Sequence, residues 1–312
     1  MAPSDRLARY SARLLVEWLN GRFESQLSLT EAPEGETIAT DGAHRAGVYV
    51  APLWEENAAW EELLRSMEER LSAGNVRGPF LLWVPPGAQV PVEEPDASDF
   101  VQRVQVAAAP LPPGARTEVR FPVTVKLAKM RVEGGYASVI GGMSRWWTRI
   151  TEKVNGTFHV DSTAVHRLTL DGEGRERLWE NIGALSHGLD VGQAADFEVE
   201  EAWTLQRLPA SETESGFAIA GAPPGADATE GIVVRRMARK RLAAANEALD
   251  ALEVDLRAVG LIGVYEYAEL EGASSTVKAL DPSLFSRLQV VSILADGDVR
   301  PTFLPRALPW QE

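Results

Sequence analysis

The sequence predicts a mixed α+β protein: an N-terminal α/β unit, a central mostly antiparallel sheet with short helices, and a C-terminal long helix plus a small sheet. Three observations carry this expectation. Leu7, Leu14, Leu15, Trp18 and Leu19, then Trp60, Leu63, Leu64, Met67 and Leu71, recur at helical spacing. Gly47–Leu53 and Phe80–Val84 are short apolar runs closed by proline, the mark of buried strands. From Glu118 to Val132 the chain alternates apolar Val119, Phe121, Val123, Val125 and Leu127 with Arg120, Thr124 and Lys126, the two-residue period of an amphipathic strand.

In chain order, the first helix stops near Gly21. The strand–helix–strand sequence of residues 47–84 suggests a crossover with parallel strands. Pro, Gly and acidic residues from Pro85 to Asp99 mark a boundary. Phe100–Ala108 alternates and is expected as a strand. Gly134-Gly135 is expected to turn the long central strand into a hairpin partner, Tyr136–Ile140. Ser144 is a candidate N-cap for a helix running to about Val154. At 100 degrees per residue Met143, Trp147, Ile150 and Val154 form its core stripe, and Arg145, Trp146, Arg149 and Lys153 its basic face. Gly156–Asp161 reads as a strand with His159 and Asp161 on one face and Phe158 and Val160 on the other. Leu178, Ile182 and Leu185 belong to another helix, and Phe197–Leu208 to another strand.

Pro209–Glu230 reads as a linker. Leu242, Ala245, Leu249, Leu252 and Leu256 give the strongest helical signal in the chain. Gly260–Tyr267 and Leu288–Ala295 follow as strands, with a short element at Asp281-Pro282 between them and a turn at Asp296-Gly297 into Val299–Leu304. The expected divisions are residues 1–90, 91–208, a linker 209–230, and 231–312. No repeat of fixed period occurs.

Composition narrows the function. With 45% hydrophobic and 24% charged residues the chain is a folded globular protein, and its formal charge of −14 confines any contact with a polyanion to a local patch. Cysteine is absent, so disulfides, thiolate nucleophiles and cysteine-ligated metals are excluded. Charges interrupt every apolar run and no signal peptide is evident at the amino terminus, so a cytoplasmic location without membrane contact is expected.

The local patch lies between Arg116 and Arg167, where nine basic residues stand against four acidic ones, a net of +5. Lys126 on the strand, and Arg145, Arg149 and Lys153 around Trp146 on the helix, are the types that bind phosphates and stack unpaired bases. Arg235, Arg236 and Arg239 form a second cluster near the start of the long helix, where cations oppose the helix dipole and invite an anion or an acidic neighbour. The simpler explanations are that the central charges pair with the acidic flanking domains, with Trp146 packed at a domain interface, and that the arginines of the long helix form a solvated charged face.

Catalytic patterns are sparse. No GxGxxG, Walker A or Gly-x-Ser-x-Gly motif occurs. His159, Asp161 and His166 form the sole His/carboxylate cluster and a candidate metal set. Glu17 and Asp41 fall in the order in which a restriction-endonuclease-like fold sets its first two carboxylates. That fold's Glu-x-Lys is replaced by Val48-Tyr49-Val50-Ala51, so no resemblance is claimed. Two classes stay open: a non-catalytic nucleic-acid-binding or scaffold component of a larger assembly, touching DNA, RNA or other protein subunits and needing no cofactor, and a metal-dependent hydrolase or nuclease with a degenerate carboxylate/His site.

Overall fold

The computed structural model describes residues 5–31, 37–74, 76–209, 214–226, 230–263 and 280–311. Helices and two mixed sheets make up an α+β protein, as the sequence predicts. The chain divides into two compact units: residues 1–117 with 204–312, and residues 118–203.

In the first unit, α1 (Asp5–Phe23) is followed by the antiparallel strands β1 (Ser28–Glu31), β2 (Thr37–Thr40) and β3 (Arg45–Pro52). From the other end of the chain come α6 (Gly231–Asp250), β10 (Leu256–Ile262), β11 (Val290–Ala295) and β12 (Asp298–Phe303). The sheet order is β1-β2-β3-β10-β11-β12, with β3, β10 and β11 parallel. The two ends of the sequence therefore share one sheet and one core. Glycines set the helix approach on each face of this sheet. A Cβ on Gly47 would stand 2.9 Å from Leu249 of α6, and one on Gly260 would stand 3.4 Å from Leu15 of α1.

Part of the second sheet also lies in this unit, where the Thr204–Arg207 end of β8 (Ala194–Arg207) pairs with β4 (Pro79–Trp83), and β4 with β9 (Gly216–Ala220). Helix α2 (Ala58–Ser72) packs on β9 and on α3 (Asp96–Ala108). Helix α1 contacts both sheets, which is why Leu7, Tyr10, Leu14, Leu15, Val16 and Leu19 are all buried.

The second unit holds most of β5 (Arg116–Arg131), then β6 (Gly135–Gly141), a 3-10 turn at Ser144–Trp146, α4 (Trp147–Lys153), β7 (Gly156–Ser162), α5 (Gly172–Gly188) and the start of β8. Its strands run β6-β7-β5-β8, with β6 on the edge. Val125, Leu127, Ala137, Phe158 and Val160 turn one sheet face toward Ile150 and Val154 of α4 and Trp179 and Ile182 of α5. The other face carries no helix of this unit.

Several sequence expectations need correction. Residues 100–108 are helical, because Ala97, Phe100, Val104 and Ala108 are the buried positions and recur by three and four. The linker contains β9, buried at all five positions beside β4. Strand β6 is no hairpin partner of β5: β7 lies between them, pairing antiparallel with β5 and parallel with β6. Helix α4 is thus the crossover of a short parallel β6–α4–β7 unit. Part of the expected strand at 260–267 lies outside the described residues. No described helix is long and apolar enough to cross a membrane.

Candidate functional site

The basic helix face predicted for residues 143–154 is rearranged. Met143, Ile150 and Val154 are buried, but Trp146 packs on the core and Trp147 is 48% exposed. The cause is the 3-10 turn over Ser144–Trp146. Three residues per turn place Trp146 directly above Met143, so Trp146 follows Met143 inward, and the α-helical phase begins only at Trp147. The Trp146 ring sits 5.9 Å from that of Trp179, between the guanidinium groups of Arg145 at 5.6 Å and Arg175 at 5.1 Å. Its Nε1 is buried without an acceptor among the described residues. These contacts leave the indole partly buried.

Trp147 takes the outward position and meets Tyr136 of β6 at 6.4 Å between ring centroids. Arg145 and Arg149 are exposed on the same short segment, with Arg149 3.4 Å from Glu152, and Lys153 is half-buried. Ile140, further along β6 on the same face as Tyr136, is 42% exposed, and Met130 and Val132, at the end of β5 and just beyond it, are 57% and 70% exposed. Sequence reasoning missed this corner. A usable signal was present: Gly135–Gly141 contains neither charge nor proline, an unguarded composition for a strand at a sheet edge.

The sheet's open face is ordered in rows across β5, β7 and β6. Lys126, Asp161 and Ile140 form one row, Ala128, His159 and Ser138 the next, and Arg131, Thr157 and Tyr136 the third. The register shift between Lys129 and Arg131 turns Arg131 onto this face. Lys126 is exposed there, as predicted, but it stands beside Asp161. Across the segment from 168 to 203, nine acidic residues face two basic ones, and the whole second unit carries ten basic against thirteen acidic residues, a net of −3. Arg120 shows the neutralisation directly, lying 3.1 Å from Glu200, 3.6 Å from Asp171 and 3.7 Å from Glu118.

The second cationic cluster sits on α6. Arg235, Arg236 and Arg239 are exposed, and Arg236 lies 3.5 Å from Glu55. The helix starts at Gly231, so the arginines stand a turn or more inside it, where the dipole argument weakens. Beside them a cavity of about 320 Å³ is lined by Trp54, Glu55, Pro223, Val233 and Arg236. Its acids are already paired, Glu55 with Arg236 and Glu56 with Arg241 at 3.3 Å.

The candidate metal ligands do not converge. His159 and Asp161 share the open face, but the Asp161 carboxylate accepts from the hydroxyl and the backbone N–H of Thr163, which hold its pKa below the usual range. His166 is held elsewhere, with its backbone N–H and Nδ1 at 2.9 and 3.1 Å from the buried Glu201 carboxylate, which also accepts from Trp203 Nε1 at 2.7 Å. Glu17 is exposed on α1. Asp41 caps its own turn: the backbone N–H groups of His44 and Ala43 and the His44 ring hold its carboxyl at about 2. Among the described residues no three His, Asp or Glu side chains group as metal ligands.

No family model, no curated protein and no solved structure matches the chain.

Proposed function

We propose that this chain is a non-catalytic scaffold component of a cytoplasmic assembly, and that its second unit makes the contact through the corner formed by β6 and α4. One observation carries the reading: Tyr136 and Ile140 on the edge strand and Trp147 on the helix that follows it are all exposed, and the Tyr136 and Trp147 rings meet at 6.4 Å between centroids. Exposed apolar side chains in one patch, rather than scattered singly, mark interaction sites. Aromatic residues of this kind anchor interfaces because they bury a large area at small entropic cost.

The test is affinity capture of the tagged full chain from the cells that make it, beside a Tyr136→Ser, Trp147→Ser variant. The variant is expected to lose most of the bound partner while its urea midpoint is unchanged. Equal recovery by both chains overturns the reading.

A second reading has its own observation. The exposed Tyr136–Trp147 pair beside Arg145 and Arg149 combines rings with cations, as single-stranded nucleic-acid binders do. Binding to an oligonucleotide should then weaken with salt, at a log–log slope near −0.7 per phosphate neutralised. The net charge of −3 on this unit favours the scaffold reading over this one.

A further inference from the structure

We infer that the cavity beside α6 is a binding site for a small organic anion, a carboxylate or phosphate carried on an apolar body. The site lies in the first unit, and the inference does not rest on the β6–α4 corner.

Its position follows from the strand ends. Strand β3, parallel to β10, ends at Pro52, and Trp54 and Glu55 continue from it into the cavity wall. Strand β9, parallel to β4, ends at Ala220, and Pro223 and Pro224 continue from it into the same wall. Val233 and Arg236, early in α6, complete the lining used here. The space beyond the carboxyl ends of parallel strands is where such sheets take ligands. At about 320 Å³ the cavity lies at the small end of the range for small-molecule sites.

Buried hydrogen bonds hold these walls in place. Arg241, 8% exposed, donates from Nε to the Pro52 carbonyl at 3.1 Å and from a terminal nitrogen to the Trp54 carbonyl at 3.4 Å, fixing the chain that leaves β3. Trp60 Nε1 donates to the Gly221 carbonyl at 2.9 Å, fixing the chain that leaves β9. The space is therefore formed before a ligand arrives, and little entropy is lost in ordering its walls.

The lining sets the ligand's chemistry. Trp54, Pro223, Pro224 and Val233 suit an apolar body. Of the two acid–arginine pairs here, Glu56 meets the buried Arg241 at 3.3 Å, a guanidinium already engaged by two carbonyls. The other, Glu55 with Arg236 at 3.5 Å, has both side chains more than 60% exposed, and an exposed pair of this kind contributes little to stability. Arg236 can exchange Glu55 for a ligand's anion at small cost, and its planar fork matches a carboxylate or a phosphate. Arg235, the preceding residue, is also exposed. An anion on Arg236 thus meets a second cation, whereas a cation on Glu55 would meet two.

Ligand-observed saturation-transfer NMR on the full chain, titrated with phenylacetate, phenyl phosphate and the neutral benzyl alcohol, tests the inference. Both anions are expected to bind saturably, about tenfold or more tightly than the alcohol, as loss of a hydrogen bond to a charged group predicts. The tighter of the two identifies the preferred anionic group. Arg236→Gln should bring the anions down to the level of the alcohol. Val233→Trp, whose indole would fill the cavity, should abolish binding of all three with circular dichroism unchanged. If Val233→Trp does not fold, Arg236→Gln at its exposed position decides alone. The inference is overturned if neither anion binds saturably at millimolar concentration, if the alcohol binds as well as the anions, or if anion binding is indifferent to Arg236→Gln.

Discussion

Replacing Trp146 by alanine removes an indole packed on Trp179 and flanked by Arg145 and Arg175. Since the residue is partly rather than fully enclosed, the expected loss is about 2–3 kcal/mol, at or just below the low end for buried aromatics. Trp147→Ala, at an exposed site, should change stability by about 0.5 kcal/mol or less. Urea unfolding of both variants measures the difference, and its sign separates the core tryptophan from the surface one. The sequence placed both residues on one short helix and assigned them the wrong way round. A single uniform period cannot show where a 3-10 turn gives way to an α-helix. Asp41 supplies a second residue-level prediction. Its carboxyl titrates at about 2, below the ordinary 3.8, because the His44 and Ala43 amides favour the charged form. A depressed folded pKa stabilises above the ordinary value and loses that contribution as pH falls through about 2. The stability gap between wild type and Asp41→Ala, measured by urea at neutral pH and again in acid, should therefore close on the acid side.

At the scale of elements, the crossover between β6 and β7 depends on a few polar and glycine contacts. Ser162 Oγ accepts from the Met143 N–H at 3.1 Å and donates to the Ile140 carbonyl at 2.6 Å, tying the end of β7 to the loop that leaves β6. Ser162→Ala leaves both groups without this partner in a buried setting and should cost about 1–3 kcal/mol. A Cβ on Gly142 would fall 1.9 Å from the Val165 carbonyl oxygen, so Gly142→Ala must displace backbone and should destabilise more than Ser162→Ala in the same assay. Elements with a clean period were legible in the sequence: α2, β5 and β7 stand where their apolar spacing put them, and α6 does so as far as Leu249, but it ends at Asp250, and Leu256, which continues the spacing, opens β10. Helix α3 was not, since Val104, Val106 and Ala108 imitate strand alternation while burial follows Ala97, Phe100, Val104 and Ala108. Strand β9 is short and lies among prolines and glycines, and only its neighbour β4 explains its burial. The parallel pairing of β6 was hidden because a Gly-Gly step reads as a hairpin whether or not the next strand turns back beside the first.

For the whole molecule, charge is the property that sequence order misrepresents most. The residues from 116 to 167 sum to +5, yet the unit they belong to sums to −3, because the acidic residues of α5 and β8 come later in the chain and fold beside them. The basic run at 116–167 was legible in the sequence; the exposed Tyr136–Trp147 pair was not, because it depends on the 3-10 turn and on β6 lying at the sheet edge. Oligonucleotide binding measured against salt is accordingly expected to give a slope close to zero for duplex DNA. The most direct measurement of the central claim is amide hydrogen exchange on the chain alone and on the chain captured with its partner bound. Slowed exchange confined to residues 135–141 and 147–153 is the predicted result. Unchanged exchange there, with protection appearing elsewhere in the chain, would contradict the account.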